Sequence, residues 1–274
     1  MDKSNETVVK KIIQKYILVV IVFLLVFTYV GYFAWAKNHE VENPATKAET
    51  IEPNSNSENP SNSAASNEMP DPSEFKDTNS LLILANKSNP LPDGYIPKDL
   101  VEVKGVSFGS ENTMLRKPAA LAAQEMIEAA RKDGVEIVFG SGYRSAEKQR
   151  YLWNNYASQY GNDAADRFSS RPSYSEHQTG LCFDAAEGDG SLDGCNYNDG
   201  FFDSPQGKWL YKHAHEYGFI LRYPQGKEEI TGYKYEPWHY RYIGKDWATK
   251  MYEISPDLTF EEYFELEGGT SYKD

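Results

Sequence analysis

The stretch Ser175-Glu-His-Gln-Thr-Gly-Leu-Cys-Phe-Asp184 predicts a strand over 178–186, entered across a Thr-Gly break. On a strand running in from Gly180, residues 182 and 184 point the same way. Asp184 can then face a pocket while Phe183 faces a core. His177 and Asp184 offer an imidazole and a carboxylate seven residues apart. A second piece, Glu236-Pro-Trp-His239, offers one more of each. His177, Asp184 and His239 would make three protein ligands for a divalent metal. Three ligands leave a position open for water, the catalytic rather than the structural zinc pattern. Glu236 is then left over as a base. Each piece alone also fits a plainer reading, a surface pair or a half-buried histidine. Pro237 disfavours a regular helix at the second piece, so the ligands must come together from separate strands and loops. Tyr235, Trp238, Tyr240 and Tyr242 are expected to form an aromatic wall that dries the site.

Outward from this centre the chain mixes helices and short strands. Leu81–Ala85 reads as a buried strand, ended by Asn89-Pro-Leu-Pro92. A helix is expected over 118–133, with Pro118 in its first turn, Ala119, Ala122, Met126 and Ala130 on one face, and Gly134 as its stop. Val135, Ile137 and Phe139 alternate into a strand that runs into Ser141-Gly-Tyr-Arg-Ser145. Ser145 caps a helix carrying Gln149 and stopping near Gly161. A helix over 206–217, strands over 219–223 and 238–243, and a final helix after Thr259 with Glu262 completing a capping box follow. No βαβ alternation repeats, so the fold class is α+β. Arg144 closes a strand: it caps carbonyls or pairs with an Asp there, or it holds a substrate oxygen with its planar fork. His213 and His215, two apart on a helix, do not share a face and read as surface or packing residues. Asp189–Gly194 resembles the start of a calcium loop but lacks the carboxylate at its twelfth position, Gly200.

The chain has 274 residues and a net charge of −13. The first 36 residues carry four lysines against Asp2 and Glu6, so the remainder carries −15. That acidity argues against a nucleic-acid partner. Residues 17–36 are uncharged and largely apolar, the length of a bilayer-spanning helix. Lysines before the span place residues 1–16 in the cytoplasm and the rest outside. A signal peptide cleaved at Ala34-Trp-Ala36 is the alternative. Residues 37–78, rich in Asn, Ser, Pro and Glu, read as a disordered linker. The folded domain is expected over 79–267, with 268–274 a tail. Cys182 and Cys195 are the only cysteines. They either pair outside the cell or leave Cys182 packed near the metal.

Together the motifs Ser141-Gly-Tyr-Arg-Ser145 with Gln149, Ser175-x-His177-x-x-Gly180-x-x-x-Asp184 and Glu236-x-Trp-His239 resemble the zinc D-alanyl-D-alanine carboxypeptidases of the VanY type, in the group that includes the VanX dipeptidases and the hedgehog-like fold. The likeness covers roughly Leu81 to Gly244. It implies a small, mainly antiparallel sheet with flanking helices, here preceded by one transmembrane helix. It implies one zinc per chain on His177, Asp184 and His239, Glu236 as general base, Arg144 as stabiliser of the oxyanion or substrate carboxylate, and Ser175 and Gln149 along the substrate. The expected partners are peptidoglycan stem peptides and the membrane, with the protein a monomer. L,D-carboxypeptidase action on tetrapeptide stems and a non-catalytic wall-binding module are the alternatives. Cys182 departs from the family, where Ala is common at that position.

Overall fold

The computed structural model describes residues 68–108, 113–186 and 199–273. The expected membrane span, the first part of the linker, Cys195 and the 189–194 stretch lie outside the described residues. Among the described residues no helix is long and apolar enough to cross a membrane.

The chain forms strands β1 (Leu100–Glu102), β2 (Ser107–Phe108) and β3 (Met114–Arg116), then helix α1 (Lys117–Lys132) and strand β4 (Val138–Ser141). Helices α2 (Ala146–Tyr160) and α3 (Asn162–Ala165), strand β5 (Cys182–Ala186), helix α4 (Pro205–His213) and strand β6 (Phe219–Leu221) follow. Helix α5 (Glu228–Thr231), strand β7 (His239–Tyr242) and helices α6 (Lys245–Ile254) and α7 (Phe260–Tyr263) complete the fold. Five strands make one sheet in the order β2-β4-β5-β7-β6, and β1 pairs with β3 apart from it. Only β2–β4 is parallel in the larger sheet; β4–β5, β5–β7 and β6–β7 are antiparallel. This is the expected α+β class with a mainly antiparallel sheet and flanking helices.

All five residues of β5 are buried, so both its faces are covered. One face carries Phe183, stacked on Phe139 at 5.0 Å and edge-on to Phe219 at 5.5 Å. Helix α1 seals this core with Ala119, Ala123, Met126, Ile127 and Ala130, all buried. Alanine on that stripe lets the helix approach the sheet closely, and Gly134, at φ +81°, ends it. The caps read from the sequence are present. Ser145 Oγ accepts from the Lys148 amide, and Thr259 and Glu262 form the reciprocal capping box.

Four expectations need correction. Leu81–Ala85 is no strand, though all of it but the half-buried Leu81 is buried. Its carbonyls go to an arginine instead, with Arg241 Nη2 donating to Leu81 O and Ile83 O. The strand expected over 178–186 begins only at Cys182, because residues Glu176–Thr179 form a 3₁₀ turn ended by Gly180 in the left-handed region, φ +66°. The linker stops short of residue 78. Phe75 is buried among Phe260 and Phe264 in a second core with Leu82, Ile243 and Met251. Residues 268–273 are no loose tail either. The Gly269 amide donates to Ile230 O, and a Cβ on Gly269 would strike the Asn86 side chain at 2.7 Å.

Candidate metal centre

The register of β5 on β7 sets Asp184 opposite His239. The register of β4 on β5 sets Ser141 opposite Asp184, after an irregularity between Phe139 and Ser141. That irregularity re-aims the turn that follows β4. Gly142 fills a place no other residue fits, since a Cβ there would lie 2.5 Å from Met114 O. Its carbonyl accepts from His177 Nδ1 at 2.8 Å, and the Arg144 amide donates to His177 O at 3.1 Å. The 141–145 turn and the 3₁₀ turn at His177 are thereby tied together.

His177, Asp184, His239 and Glu236 meet as expected. His177 Nε2 lies 3.2 Å from Asp184 Oδ2, and His239 Nδ1 lies 3.2 Å from Asp184 Oδ1. Glu236 Oε2 is 3.5 Å from His239 Nδ1, brought round by the turn in which the His239 amide donates to Glu236 O. The imidazole rings stand edge to face at 4.9 Å. His177, Asp184 and His239 are all buried.

The outer contacts fix which nitrogens are available. Gly142 O can only accept, so His177 Nδ1 carries a proton. His239 Nε2 lies 3.0 Å from a Glu176 carboxylate oxygen, so it too carries one. Neutral rings therefore turn lone pairs, at His177 Nε2 and His239 Nδ1, towards the Asp184 oxygens. Acceptor then faces acceptor, and Asp184 Oδ1 is buried without a hydrogen-bond partner. A cation between them resolves this. Ligand atoms at about 2.0–2.1 Å from a tetrahedral zinc sit about 3.3 Å apart, close to the observed spacings. The donor set fits zinc on this count, and each metal-facing histidine has the outer hydrogen bond typical of such sites.

Charges are shifted accordingly. Burial opposes the charged form of Asp184, but His177 and His239 hold its carboxyl well below the usual range. Burial and Arg144 oppose protonation of His177, yet Asp184 and Cys182 push it up to about 9. Without a metal, then, protons are held where the cation would bind, and metal binding must release them. Burial pushes Glu236 up to about 7, where a carboxylate can both take and return a proton near neutral pH.

Cys182 lies on the same face of β5 as Asp184, is fully buried and is free. Its sulfur and one nitrogen each of His177 and His239 fall within 4.8 Å of one another. That His-Cys-His grouping competes with the His-Asp-His set. The carboxylate is the better ligand on geometry, because its oxygens are 3.2 Å from both imidazoles.

Arg144 reaches the centre with Nη2 3.7 Å from Asp184 Oδ2. Its fork is held by Ser141 Oγ and Gln149 Oε1, each at 3.0 Å. Gln149, expected along the substrate, stands behind Arg144. It is buried, and its amide nitrogen donates to Ser169 Oγ and Ser170 O. Ser175 is buried at the start of the 3₁₀ turn. The aromatic wall is also different. Tyr240 and Tyr242 face the core, against Phe183 and Phe219, because they alternate with His239 and Arg241 along β7. The ring beside His239 is Tyr223, at 4.9 Å. Glu176 went unread in the sequence, where an acidic residue beside His177 gives no sign of being buried. His213 pairs with Glu216 and His215 stacks on Tyr252, both packing or surface roles.

Residues 112–245 match the family described as VanY: D-alanyl-D-alanine carboxypeptidase. The putative carboxypeptidase YodJ of Bacillus subtilis (strain 168) is 43% identical over 189 residues, 68% of this chain and 67% of YodJ. Among solved structures, the LdcB LD-carboxypeptidase is 42% identical at a TM-score of 0.63, over 69% of this chain and 87% of that one. The vancomycin-resistance D,D-pentapeptidase VanY of the VanB-type cassette, solved as a mutant with Zn(II), is 34% identical at a TM-score of 0.53, over 66% of this chain and 97% of that one. The chain belongs to the VanY family of D-alanyl-D-alanine carboxypeptidases.

Proposed function

We propose that this protein is a zinc-dependent carboxypeptidase that removes the C-terminal D-alanine of peptidoglycan stem peptides, with one zinc per chain on His177, Asp184 and His239. The observation that carries this reading is Glu236, 3.5 Å from His239 Nδ1 and outside the three-ligand set. A binding module on the same fold has no need of a part-buried carboxylate poised near neutrality. A zinc ion held there would lower the pKa of a water to about 7 and polarise the scissile carbonyl. Glu236 takes the proton of the attacking water and returns it to the amine of the departing D-alanine. Arg144, its fork fixed by Gln149 and Ser141, supplies positive charge for the oxyanion or the substrate carboxylate. Ser175 lines the approach to the centre. The apolar segment 17–36 anchors the chain in the membrane, and residues beyond it carry a monomeric catalytic domain outside the cell.

Two cleavages are open to this site. The family match supports D,D cleavage of pentapeptide stems. The 42% identity to an LD-carboxypeptidase, against 34% to the D,D-pentapeptidase, favours L,D cleavage of tetrapeptide stems as the second reading. The test is D-alanine release by the full-length chain in detergent from a muramyl pentapeptide and a muramyl tetrapeptide, with and without a zinc chelator. Chelator-sensitive release from the pentapeptide supports the D,D reading, and release from the tetrapeptide alone the L,D one. No release from either, by zinc-loaded protein, overturns the enzyme.

A further inference from the structure

His239 is held from behind by a buried chain of charges. Glu176 Oε2 meets His239 Nε2, while Glu176 Oε1 accepts from Arg222 Nε at 2.8 Å and from Arg241 Nη1 at 2.7 Å. Arg222 turns its other two nitrogens onto Glu261, at 2.8 and 2.6 Å. Glu261 lies in α7 and also accepts from Asn86 Nδ2 at 3.1 Å, and Asn86 is clamped by Gly269 of the C-terminal strap. Exposure is 2% at Glu176, 0% at both arginines and 1% at Glu261, so solvent cannot stand in for a missing member. The two arginines balance the two glutamates.

We propose that Glu261 is a positioning residue for the metal centre, acting through Arg222 and Glu176 on the ring of His239. The logic is competition for one carboxylate. With Glu261 in place, the Arg222 fork is occupied and only its Nε reaches Glu176, which leaves Oε2 for His239. Without that charge the whole fork is free, and a bidentate grip on Glu176 draws Oε2 away from Nε2. His239 then loses the partner that keeps its proton on Nε2 and its lone pair on Nδ1. The last helix and strap of the chain, distant in sequence from every proposed ligand, thus set the tautomer of one of them.

This rests on the metal-centre reading, and the experiment separates the two. The full-length chain is labelled with ¹⁵N-histidine, and the His239 ring is read in metal-free protein at alkaline pH, where the ring carries a single proton; zinc affinity is then measured by chelator competition. Wild type is expected to show His239 protonated at Nε2. Glu261→Gln, of equal shape, is expected to show a mixture of tautomers and about 10-fold weaker zinc binding, the scale of outer-sphere changes. Glu261→Asp, which keeps the charge but withdraws it by one methylene, is expected to shift both in the same direction and serves if the amide variant does not fold. A folded variant with wild-type ring signals and wild-type affinity overturns the positioning role. A wild type with the expected tautomer that binds no zinc leaves the chain of contacts standing and overturns the metal centre itself.

Discussion

Asp184 Oδ1 lies 3.2 Å from His239 Nδ1, and the two residues are register partners on neighbouring antiparallel strands. The ladder between β5 and β7 therefore sets the spacing of two proposed ligands directly, with no loop between them. His177 joins from a 3₁₀ turn pinned to Gly142 O. A site built on a sheet in this way holds its geometry before any ion arrives, and substitutions there act on binding rather than on assembly.

The rival donor sets make opposite predictions. Asp184→Asn keeps the shape of the side chain but removes the charge between the histidines. Zinc content is expected to fall from one per chain to near zero after dialysis, measured by atomic emission. Cys182→Ala, which installs the residue common in the family, is expected to keep one zinc per chain. The reverse pattern assigns the thiol, not the carboxylate, to the metal.

Glu236→Ala is expected to keep its zinc and lose roughly 10²-fold or more in kcat, the scale of a general base. The Glu236 carboxylate comes no nearer than 3.5 Å to His239 Nδ1 and stands outside the three-ligand set, so metal content and rate should separate. Full activity in the variant removes the base assignment.

Gln149 acts at one remove. Its Oε1 holds Arg144 Nη1, and its own amide is tied to Ser169 and Ser170. Gln149→Ala frees one arm of the fork and leaves the ligands untouched. A hydrogen bond to a charged group contributes about 1.5–3 kcal/mol, so kcat/KM is expected to fall about 10- to 100-fold at unchanged zinc content. Zinc loss in this variant contradicts the arrangement.

Much of the site was legible because its residues sit in short motifs with fixed consequences. Asp184 follows Cys182 on one strand face, and Glu236 and His239 share one turn. The helices were legible from their caps at Ser145 and at Thr259 with Glu262. What stayed hidden depends on contacts far apart in sequence. Leu81–Ala85 has strand composition, but only Arg241, some 160 residues on, shows where its carbonyls go. Glu176, Arg222 and Arg241 read singly as surface charges, because charged residues are almost never fully buried unless paired. Their pairing spans separations of 46 and 65 residues. Tyr240 and Tyr242 were misplaced for another reason: alternation along β7 must put them opposite His239, on the core face.

The core behind the site should fail by a different mechanism. Phe183, fully buried, stacks on Phe139 and meets Phe219 edge-on. Phe183→Ala removes those contacts and leaves a cavity under the strand that carries Asp184, at a cost of about 3–5 kcal/mol. Denaturant unfolding of the metal-free protein measures this, and a loss below about 1 kcal/mol would mean the sheet collapses into the space.

The same buried charges predict an acid response. Burial works against an ionised Glu176, but Arg222, Arg241 and His239 outweigh it and lower its pKa from 4.5. A carboxyl whose folded pKa lies below its unfolded value contributes stability that is complete above the unfolded pKa and is lost as pH falls towards the folded one. Stability of the metal-free protein is therefore expected to drop as pH falls below about 4.5. Asp184, lowered by His177 and His239 against its own burial, acts in the same direction. Glu176→Gln is expected to be less stable at neutral pH, because the arginines lose a counter-charge. It should also lose stability less steeply in acid, since one fewer group takes up a proton on unfolding. The slope should shrink without vanishing, Asp184 remaining. Urea unfolding between about pH 6 and pH 3 reads both effects. An unchanged slope would mean that Glu176 titrates normally in the folded chain, and would sever His239 from the charges behind it.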